Sequence, residues 1–220
     1  MKQAILLAAG LGSRLRPLSN TIPKPLLKIN NKSLISWHLE KLSNIGITEI
    51  FINVHHLSFD IISEIGSGDK YGVNITYSIE DPLLETAGAI VKIRDWISSE
   101  IIIISSDIYT DFNFSSLAIP DGSEGLIILN NCQEHKEGDF GIIGHLASLD
   151  PKIKYNYANI AILKKSVFSK YQKGRKKLSD VFHDLISENQ LAAKIYRGPW
   201  HNVGTLDKLE QLNLQKHDLG

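Results

Sequence analysis

The stretch that decides the fold is Ala4-Ile5-Leu6-Leu7-Ala8-Ala9, which is apolar throughout and ends at Gly10. A short apolar run cut off by glycine is typical of a central strand in a parallel sheet that is covered on both faces. The run is shorter than the apolar core of a secretory signal peptide, about 7–15 residues, and glycines and arginines follow it at once. We therefore predict a buried first strand and a cytoplasmic protein.

Strands and helices alternate along the first half of the chain. Strands are predicted over 49–54, 73–77 and 101–104, the last of which consists of isoleucine alone. One helix pattern begins at Ser33, which can cap it, and ends at Gly46. A second pattern follows Thr86, which can cap it in the same way. Such alternation predicts right-handed βαβ units, and hence an α/β fold with a mostly parallel, mixed sheet flanked by helices.

The second half of the chain is less regular. Strands are predicted there over 125–129, 140–143, 157–163 and 193–196. Helices are predicted over 179–188 and 206–215. A basic cluster with no acidic residue lies between the predicted strand 157–163 and the predicted helix 179–188. It comprises Lys164, Lys165, Lys170, Lys173, Arg175, Lys176 and Lys177. No aromatic ladder accompanies the cluster, so we interpret it as a solvated loop and helix face rather than a nucleic-acid site.

Length and composition limit the classes of protein that fit. The chain has 220 residues, which suits one domain with an embellishment or two small domains. The 24 Lys and Arg residues balance the 24 Asp and Glu residues, so a dedicated nucleic-acid or membrane-surface binder is not expected. A single cysteine, Cys132, excludes an internal disulfide, and no run approaches the ~18 apolar residues of a membrane span.

A glycine-rich loop follows the first strand directly, with the sequence Gly10-Leu11-Gly12-Ser13-Arg14-Leu15-Arg16-Pro17. Glycine permits positive φ and lets backbone N–H groups approach an anion closely. A dinucleotide-binding fingerprint would need a third glycine where Leu15 stands, and a Walker A loop would need Gly-Lys followed by Ser or Thr. Considered alone, the loop is either a polyphosphate cradle or a plain turn with surface arginines.

A second motif, Pro23-Lys24-Pro25, distinguishes between these alternatives. Together with the glycine-rich loop, it resembles the signature of the sugar-1-phosphate nucleotidylyltransferases. The resemblance continues in order along the chain through 51–56, 84–88, 106–111, 138–141 and 200–205. It implies a Rossmann-like, GT-A-like nucleotidyltransferase fold with a small elaboration on the sugar side. The expected organisation is one domain over 1–220, with a nucleotide-binding half at about 1–111 and a sugar-binding half at about 112–220.

The resemblance also implies the reaction. A sugar 1-phosphate attacks the α-phosphorus of a nucleoside triphosphate (NTP) and expels pyrophosphate, with Mg²⁺ as cofactor. The motifs are most similar to a short bacterial subgroup that joins UTP to N-acetylmuramic acid 1-phosphate in cell-wall recycling. Guanylyltransferases acting on mannose- or heptose-1-phosphate are the alternative within the class. A catalytically weak, nucleotide-sugar-binding regulatory module is the alternative outside it. The expected partners are the two substrates, without nucleic acid or membrane, and the expected state is a monomer.

The resemblance assigns catalytic roles to three residues. Arg14 would hold the leaving phosphates and Lys24 the α-phosphate, since both cations suit phosphate oxygens. Asp107 would bind Mg²⁺, because it follows a strand at the sheet edge where open α/β sheets bind ligands. The family's second metal ligand is an Asp in Trp-x-Asp-x-Gly-Thr, and here that position is Asn202. Two alternatives follow. Either the enzyme works with Asn202 as a neutral second metal ligand, or it is impaired or uses the metal differently.

The remaining site assignments concern the nucleotide and the sugar. The predicted nucleotide-binding residues are Ala9, Gly10, Leu11, Gly12, Ser13, Arg14, Lys24, Glu80, Glu85 and Gly88. An ionised glutamate only accepts hydrogen bonds, which suits the N–H groups of uracil or guanine better than adenine. The predicted sugar-binding residues are Asn131, Phe140, Gly141 and Asn159. A Glu-Lys-Pro triplet, whose lysine binds the sugar phosphate in many relatives, is absent from this sequence, so Lys24 or Arg197 would bind that phosphate instead.

Overall fold

A computed structural model of the chain describes residues 3–131, 137–150 and 152–214, and Cys132 lies outside these ranges. The helices are α1 (Leu34–Asn44), α2 (Ser58–Ile65), α3 (Glu85–Ile93), α4 (Leu178–Ser187) and α5 (Leu206–Leu214). The strands are β1 (Gln3–Leu7), β2 (Lys28–Ile29), β3 (Lys32–Ser33), β4 (Glu49–Val54), β5 (Asn74–Ile79), β6 (Glu100–Ser105), β7 (Ile108–Thr110), β8 (Gly125–Asn130), β9 (Gly141–Ile143), β10 (Leu146–Ser148), β11 (Asn156–Lys164), β12 (Leu191–Tyr196) and β13 (Trp200–Asn202).

Nine of the strands form one sheet in the order β5-β4-β1-β6-β11-β8-β12-β10-β9. The strands β5, β4, β1 and β6 are all parallel, whereas β11 is antiparallel to both of its neighbours. The predicted α/β fold with a mixed sheet is confirmed. Strands from both predicted halves belong to this sheet, because β6 of the first half pairs with β11 of the second.

The apolar residues of β1 and β6 supply both faces of the sheet. Leu6 and Ile104 pack in one core cluster with α1 and α2, while Ile5 and Ile103 pack in the other with α3 and α4. Because strand side chains alternate between faces, an unbroken apolar run fits only a strand that is covered on both sides. The first strand is therefore buried as predicted, and its carboxyl end opens onto the edge of the sheet.

A small ribbon outside the main sheet connects distant parts of the chain. The strand β13 pairs antiparallel with β7, so that Asn202 lies opposite Ile108 and Trp200 lies opposite Thr110. Each strand has only three residues, and the pairing joins positions about ninety residues apart in the sequence. This ribbon brings the 200–205 segment to the end of β6.

The structure differs from the local expectations at one helix and at two predicted caps. Ser33 precedes α1, but its side chain makes no capping hydrogen bond. The helix α2 was not anticipated, because its apolar face is short and Phe59 on its surface is exposed. Thr86 does not cap the helix that contains it. Its Oγ1 instead accepts a hydrogen bond from Leu178 N–H at the start of α4, at 2.8 Å. A cap supplied by another element depends on tertiary packing, which local sequence does not reveal. In the described ranges, no helix combines the length and apolar character needed to cross a bilayer.

Candidate active site

A cavity of about 160 Å³ lies at the carboxyl ends of β1, β4 and β6, and we call it the strand-edge cavity. Ligands of open α/β sheets bind at this edge. Its lining brings the first predicted loop together with residues that are distant in sequence. The lining residues are Leu7, Ala8, Ala9, Gly10, Lys24, Pro25, Asn53, Glu80, Leu83, Glu85, Thr86, Ser105, Ser106 and Asp107.

Lys24 and Asp107 meet inside this cavity. Lys24 Nζ donates to Asp107 Oδ2 at 2.5 Å, and the two side chains are 11% and 24% exposed. Burial alone would raise the pKa of the Asp107 carboxyl, but the charge and hydrogen bond of the Lys24 ammonium outweigh it and lower that pKa. Asp107 is consequently an anion at neutral pH, and a fixed cation lies beside it.

The β7–β13 ribbon places the segment around Asn202 next to Lys24 and Asp107. Val203 N–H donates to the backbone oxygen of Asp107 at 2.9 Å, directly after Asn202 in the chain. Arg14, which is exposed, lies against Gly204, where an added Cβ would come within 3.1 Å of its guanidinium. The ribbon therefore gathers Arg14, Asp107 and Asn202 at one edge of the sheet.

Asp107 offers one free oxygen to a cation. Its Oδ1 is buried and has no hydrogen-bond partner among the described residues, whereas Oδ2 is held by Lys24. No group of three or more His, Cys, Asp or Glu side chains that could hold a metal occurs in the described part of the chain. Mg²⁺ commonly takes one or two protein carboxylates and completes its shell with water and substrate phosphates. The residues present fit that kind of site.

The glycine-rich loop enters the cavity only in part. Ala9 and Gly10 line it, while Leu11, Gly12 and Ser13 lie outside its lining. Gly12 has φ +61°, and an added Cβ would meet Ser19 Cβ at 3.0 Å. Ser19 Oγ donates to Gly12 O at 2.8 Å, which fixes the turn. The glycine at this position is explained by backbone conformation and packing.

Glu80 is 1% exposed, and both of its carboxylate oxygens accept hydrogen bonds from the protein. Asn53 Nδ2 donates to Oε1 and Leu84 N–H donates to Oε2, each at 2.7 Å. Asn53 Oδ1 in turn accepts from Ala8 N–H at 2.9 Å. These bonds tie the end of β1 to the loop before α3. They give Glu80 an organising role, and its assignment to the base stays a prediction.

Glu85 and Gly88 occupy different surroundings. Glu85 begins α3 with φ +65°, lines the strand-edge cavity and pairs with Arg175 at 2.9 Å. Gly88 lines no described cavity; an added Cβ there would come within 2.3 Å of the Gly174 carbonyl oxygen. Gly88 N–H also donates to Lys176 O at 3.0 Å. Gly88 thus packs between α3 and the segment before α4, and its contact with nucleotide stays a prediction.

A second cavity, of about 550 Å³, adjoins the first, and we call it the α4 cavity. The two share Leu7, Glu85, Thr86 and Ser105. Its further lining residues are Gly138, Asp139, Phe140, Tyr157, Asn159, Lys177, Leu178, Ser179, Phe182 and His183. Its volume falls within the roughly 300–1,000 Å³ of small-molecule sites. The two cavities adjoin at one sheet edge, so ligands bound in them would lie end to end.

The four predicted sugar-binding residues do not converge. Phe140 and Asn159 line the α4 cavity, and Asn159 has φ +57° at an irregularity in the pairing of β11 with β8. Asn131 instead lines a separate cavity with Arg197, and Gly141 is a buried strand residue outside both linings. Asn131 and Gly141 therefore lie apart from the α4 cavity, and their assignment to the sugar stays a prediction.

Several lining residues were not anticipated from the sequence. Asn53 could have been noticed as the one amide in the apolar stretch of β4. Tyr157, Phe182 and His183 come from two elements that only the folded sheet brings together. Lys177 was included in the basic cluster, but nothing in the sequence separates it from its neighbours.

Comparison with known proteins identifies relatives of this chain. A family model described as "Nucleotidyl transferase" matches residues 3–218. An N-acetylmuramate alpha-1-phosphate uridylyltransferase from Neisseria meningitidis serogroup B is 33% identical over 95% of this chain and 96% of its own length. A mannose-1-phosphate guanyltransferase from Schizosaccharomyces pombe is 30% identical over 92% of this chain. The alignment spans 61% of that longer protein.

Solved structures share the fold. A protein from Bacillus anthracis, described as a glucose-1-phosphate thymidylyltransferase and solved with a sucrose, superposes over 100% of this chain and 97% of its own. The TM-score is 0.87 at 23% identity. HddC from Yersinia pseudotuberculosis, solved with GMP-PN, superposes over 99% of this chain and 100% of its own. The TM-score is 0.78 at 21% identity.

Proposed function

The chain belongs to the nucleotidyl transferase family as a sugar-1-phosphate nucleotidyltransferase, and we propose that it joins UTP to N-acetylmuramic acid 1-phosphate. The products are the UDP-sugar and pyrophosphate, and the proposal includes a role in cell-wall recycling. One observation carries the choice of substrates, namely the 33% identity to the Neisseria uridylyltransferase across nearly the whole of both chains.

The reaction needs two anions brought into line. An oxygen of the sugar 1-phosphate forms a bond to the α-phosphorus, and the bond from that phosphorus to the bridging oxygen breaks. Pyrophosphate then leaves with the electron pair. Positioning and charge neutralisation supply most of the catalysis in such transfers, so no covalent enzyme intermediate is required.

The strand-edge cavity supplies the charges for this step. Lys24 is held beside Asp107 by their ion pair, in position to neutralise charge that develops on the α-phosphate. Arg14 would take the β- and γ-phosphates, since a planar guanidinium matches phosphate oxygens in pairs. The backbone N–H groups around Ala9 and Gly10 lie at the carboxyl end of β1, where they can line the triphosphate.

We assign Mg²⁺ binding to Asp107 and Asn202. The free, buried Oδ1 of Asp107 supports this assignment, as does the ribbon register that puts Asn202 opposite Ile108, the residue after Asp107. When bound, the ion would neutralise phosphate charge and orient the triphosphate. Because an amide oxygen carries no charge, the affinity would depend more on the substrate phosphates than it does with two carboxylates.

The two adjoining cavities suit the two substrates. We assign the nucleotide to the strand-edge cavity with Glu80 and Glu85, and the sugar to the α4 cavity with Phe140 and Asn159. The four shared residues then mark the junction at which the sugar phosphate meets the α-phosphate.

A guanylyltransferase acting on mannose 1-phosphate is the second candidate. The relative from Schizosaccharomyces pombe, 30% identical over 92% of this chain, favours it. The chain covers less than two thirds of that relative, so the match concerns the shared part alone. An ionised glutamate beside the base would suit guanine as well as uracil, because both present ring N–H donors.

Pyrophosphate release from each NTP paired with each sugar 1-phosphate tests the proposal. The panel contains four NTPs and the 1-phosphates of N-acetylmuramic acid, glucose, mannose and heptose, with Mg²⁺ present. We expect the highest kcat/KM with UTP and N-acetylmuramic acid 1-phosphate. A preference for GTP with mannose or heptose 1-phosphate would favour the second candidate. No release with any pair would favour the nucleotide-sugar-binding module.

A further inference from the structure

The α4 cavity contains a lysine that the reaction chemistry does not use. Lys177 is the only lysine or arginine among the described residues that line this cavity. It precedes the first residue of α4, and Ser179 and His183 line the cavity from the same helix. Because residues four apart share one face of a helix, Ser179 and His183 belong to one wall, and Lys177 lines the cavity at the start of that helix.

The other members of the basic cluster have different roles. Lys164, Lys170, Arg175 and Lys176 pair respectively with Glu124, Glu188, Glu85 and Asp180. The remaining lysines, at positions 165, 173 and 177, form no ion pair with a described residue, and of these three only Lys177 lines a cavity. Lys177 is exposed, and its position on the cavity wall makes its charge available to a ligand there.

The carboxylates of the same cavity do not neutralise Lys177. Glu85 pairs with Arg175 at 2.9 Å, and Asp139 Oδ2 accepts a hydrogen bond from Tyr157 N–H at 2.8 Å. The hydrogen bond leaves Asp139 negatively charged, but neither acid forms an ion pair with Lys177. A cation without a partner in a partly enclosed site favours an anionic ligand group.

The position of Lys177 separates it from the reacting phosphate. The phosphate of the sugar must reach the strand-edge cavity, where Lys24 and Asp107 lie. Lys177 lines the α4 cavity only, although its neighbour Leu178 bonds to Thr86 at the junction of the two cavities. Within the α4 cavity, the anionic group that Lys177 would meet is a substituent of the sugar.

We propose that Lys177, with Ser179 and His183 on the same wall, binds a carboxylate substituent of the sugar and so selects acidic sugar 1-phosphates over neutral ones. This inference rests on the proposed function, because it concerns the sugar half of that reaction. The group recognised in N-acetylmuramic acid is the lactyl carboxylate. N-acetylglucosamine 1-phosphate lacks only that lactyl group and is the neutral counterpart.

The test compares kcat/KM for the two sugar 1-phosphates, with UTP and Mg²⁺, in the wild type and three variants. For Lys177→Ala, we expect the ratio of acidic to neutral sugar to fall about tenfold or more, the range for losing a hydrogen bond to a charged group. Lys177→Arg should keep most of the ratio. Lys173→Ala is the matched control, because Lys173 is exposed, belongs to the same cluster and lines neither cavity.

Two outcomes for Lys177→Ala would overturn the inference while leaving the proposed function intact. One is an unchanged ratio in a wild type that does prefer the acidic sugar. The other is an equal loss for both sugars, which would assign Lys177 to the shared phosphate or to folding. A wild type that turns over neutral sugars but not N-acetylmuramic acid 1-phosphate would instead overturn the proposed function, and the inference with it.

Discussion

At the scale of single residues, Gly204 determines where the Arg14 guanidinium can lie. An added Cβ at Gly204 would stand 3.1 to 3.5 Å from three guanidinium atoms of Arg14. The Arg14 guanidinium is the end of a flexible side chain, so Gly204→Ala would displace this group with little loss of folding free energy. If Arg14 holds the leaving phosphates, the displacement lowers kcat/KM by roughly two- to tenfold.

A double-mutant cycle tests this coupling. Arg14→Ala should cost on the order of 100-fold in kcat/KM, as expected for removing one group that stabilises developing charge. Adding Gly204→Ala to that variant should cost nothing more, because the side chain that it displaces is gone. Full additivity of the two losses would show that Gly204 acts by another route.

Asn202 sets the charge of the proposed metal site. The ribbon register places it opposite Ile108, one residue from Asp107, so Asn202→Asp would give the proposed site a second carboxylate. Because affinity for divalent cations rises with the number of charged ligands, the half-saturating Mg²⁺ concentration should fall roughly three- to tenfold. The measurement is initial rate against Mg²⁺ at fixed substrates. An unchanged Mg²⁺ requirement would contradict the argument from charge.

At the scale of elements, α1 supports the ribbon through a buried histidine. His38 is 2% exposed, and its Nε2 donates to the Ile108 carbonyl at 2.9 Å. Burial lowers the pKa of His38 to about 4, because the charged imidazolium would lose its hydration. In the unfolded chain, the pKa returns to about 6.5.

His38 therefore makes stability depend on pH. Above the unfolded pKa of about 6.5 both states are neutral, and its contribution is fully present. As the pH falls towards 4, only the unfolded state takes up the proton, so up to about 3 kcal/mol of unfolding free energy is lost. Urea unfolding at several pH values should show a flatter curve for His38→Gln across this window. Parallel curves for the two proteins would exclude His38 as the cause.

A helix or strand could be predicted from the sequence only where its own residues determine it. The bounds of β4 matched the prediction, since an apolar, β-branched run between turn residues needs no tertiary information. The strands β7 and β13 could not be predicted, because three residues carry no periodicity and their pairing is long-range. The same limit applies to Gly88, whose neighbour Gly174 lies in a distant part of the chain. Motif resemblance indicated Lys24 and Asp107, but it did not identify Lys177.

At the scale of the whole molecule, the distribution of charge matters more than its sum. The formal net charge is zero, yet a cation lies in each of the adjoining cavities, Lys24 in one and Lys177 in the other. A net charge of zero argues against nucleic-acid binding but not against the binding of small anions. A few cationic side chains placed at the site are sufficient to bind substrates that carry phosphates.

The two-cavity arrangement predicts how nucleotides stabilise the protein in the absence of turnover. A ligand that binds only the folded state stabilises it by about 2.7 kcal/mol at 100 times its Kd. For a chain of this size, that corresponds to a rise in Tm of about 5 to 10 °C. Thermal unfolding with Mg²⁺ and equal concentrations of UTP or GTP should show the larger rise with UTP. Arg14→Ala should reduce both shifts, because Arg14 would bind phosphates common to both. A larger rise with GTP would favour the guanylyltransferase candidate on binding alone, independently of which sugar is accepted.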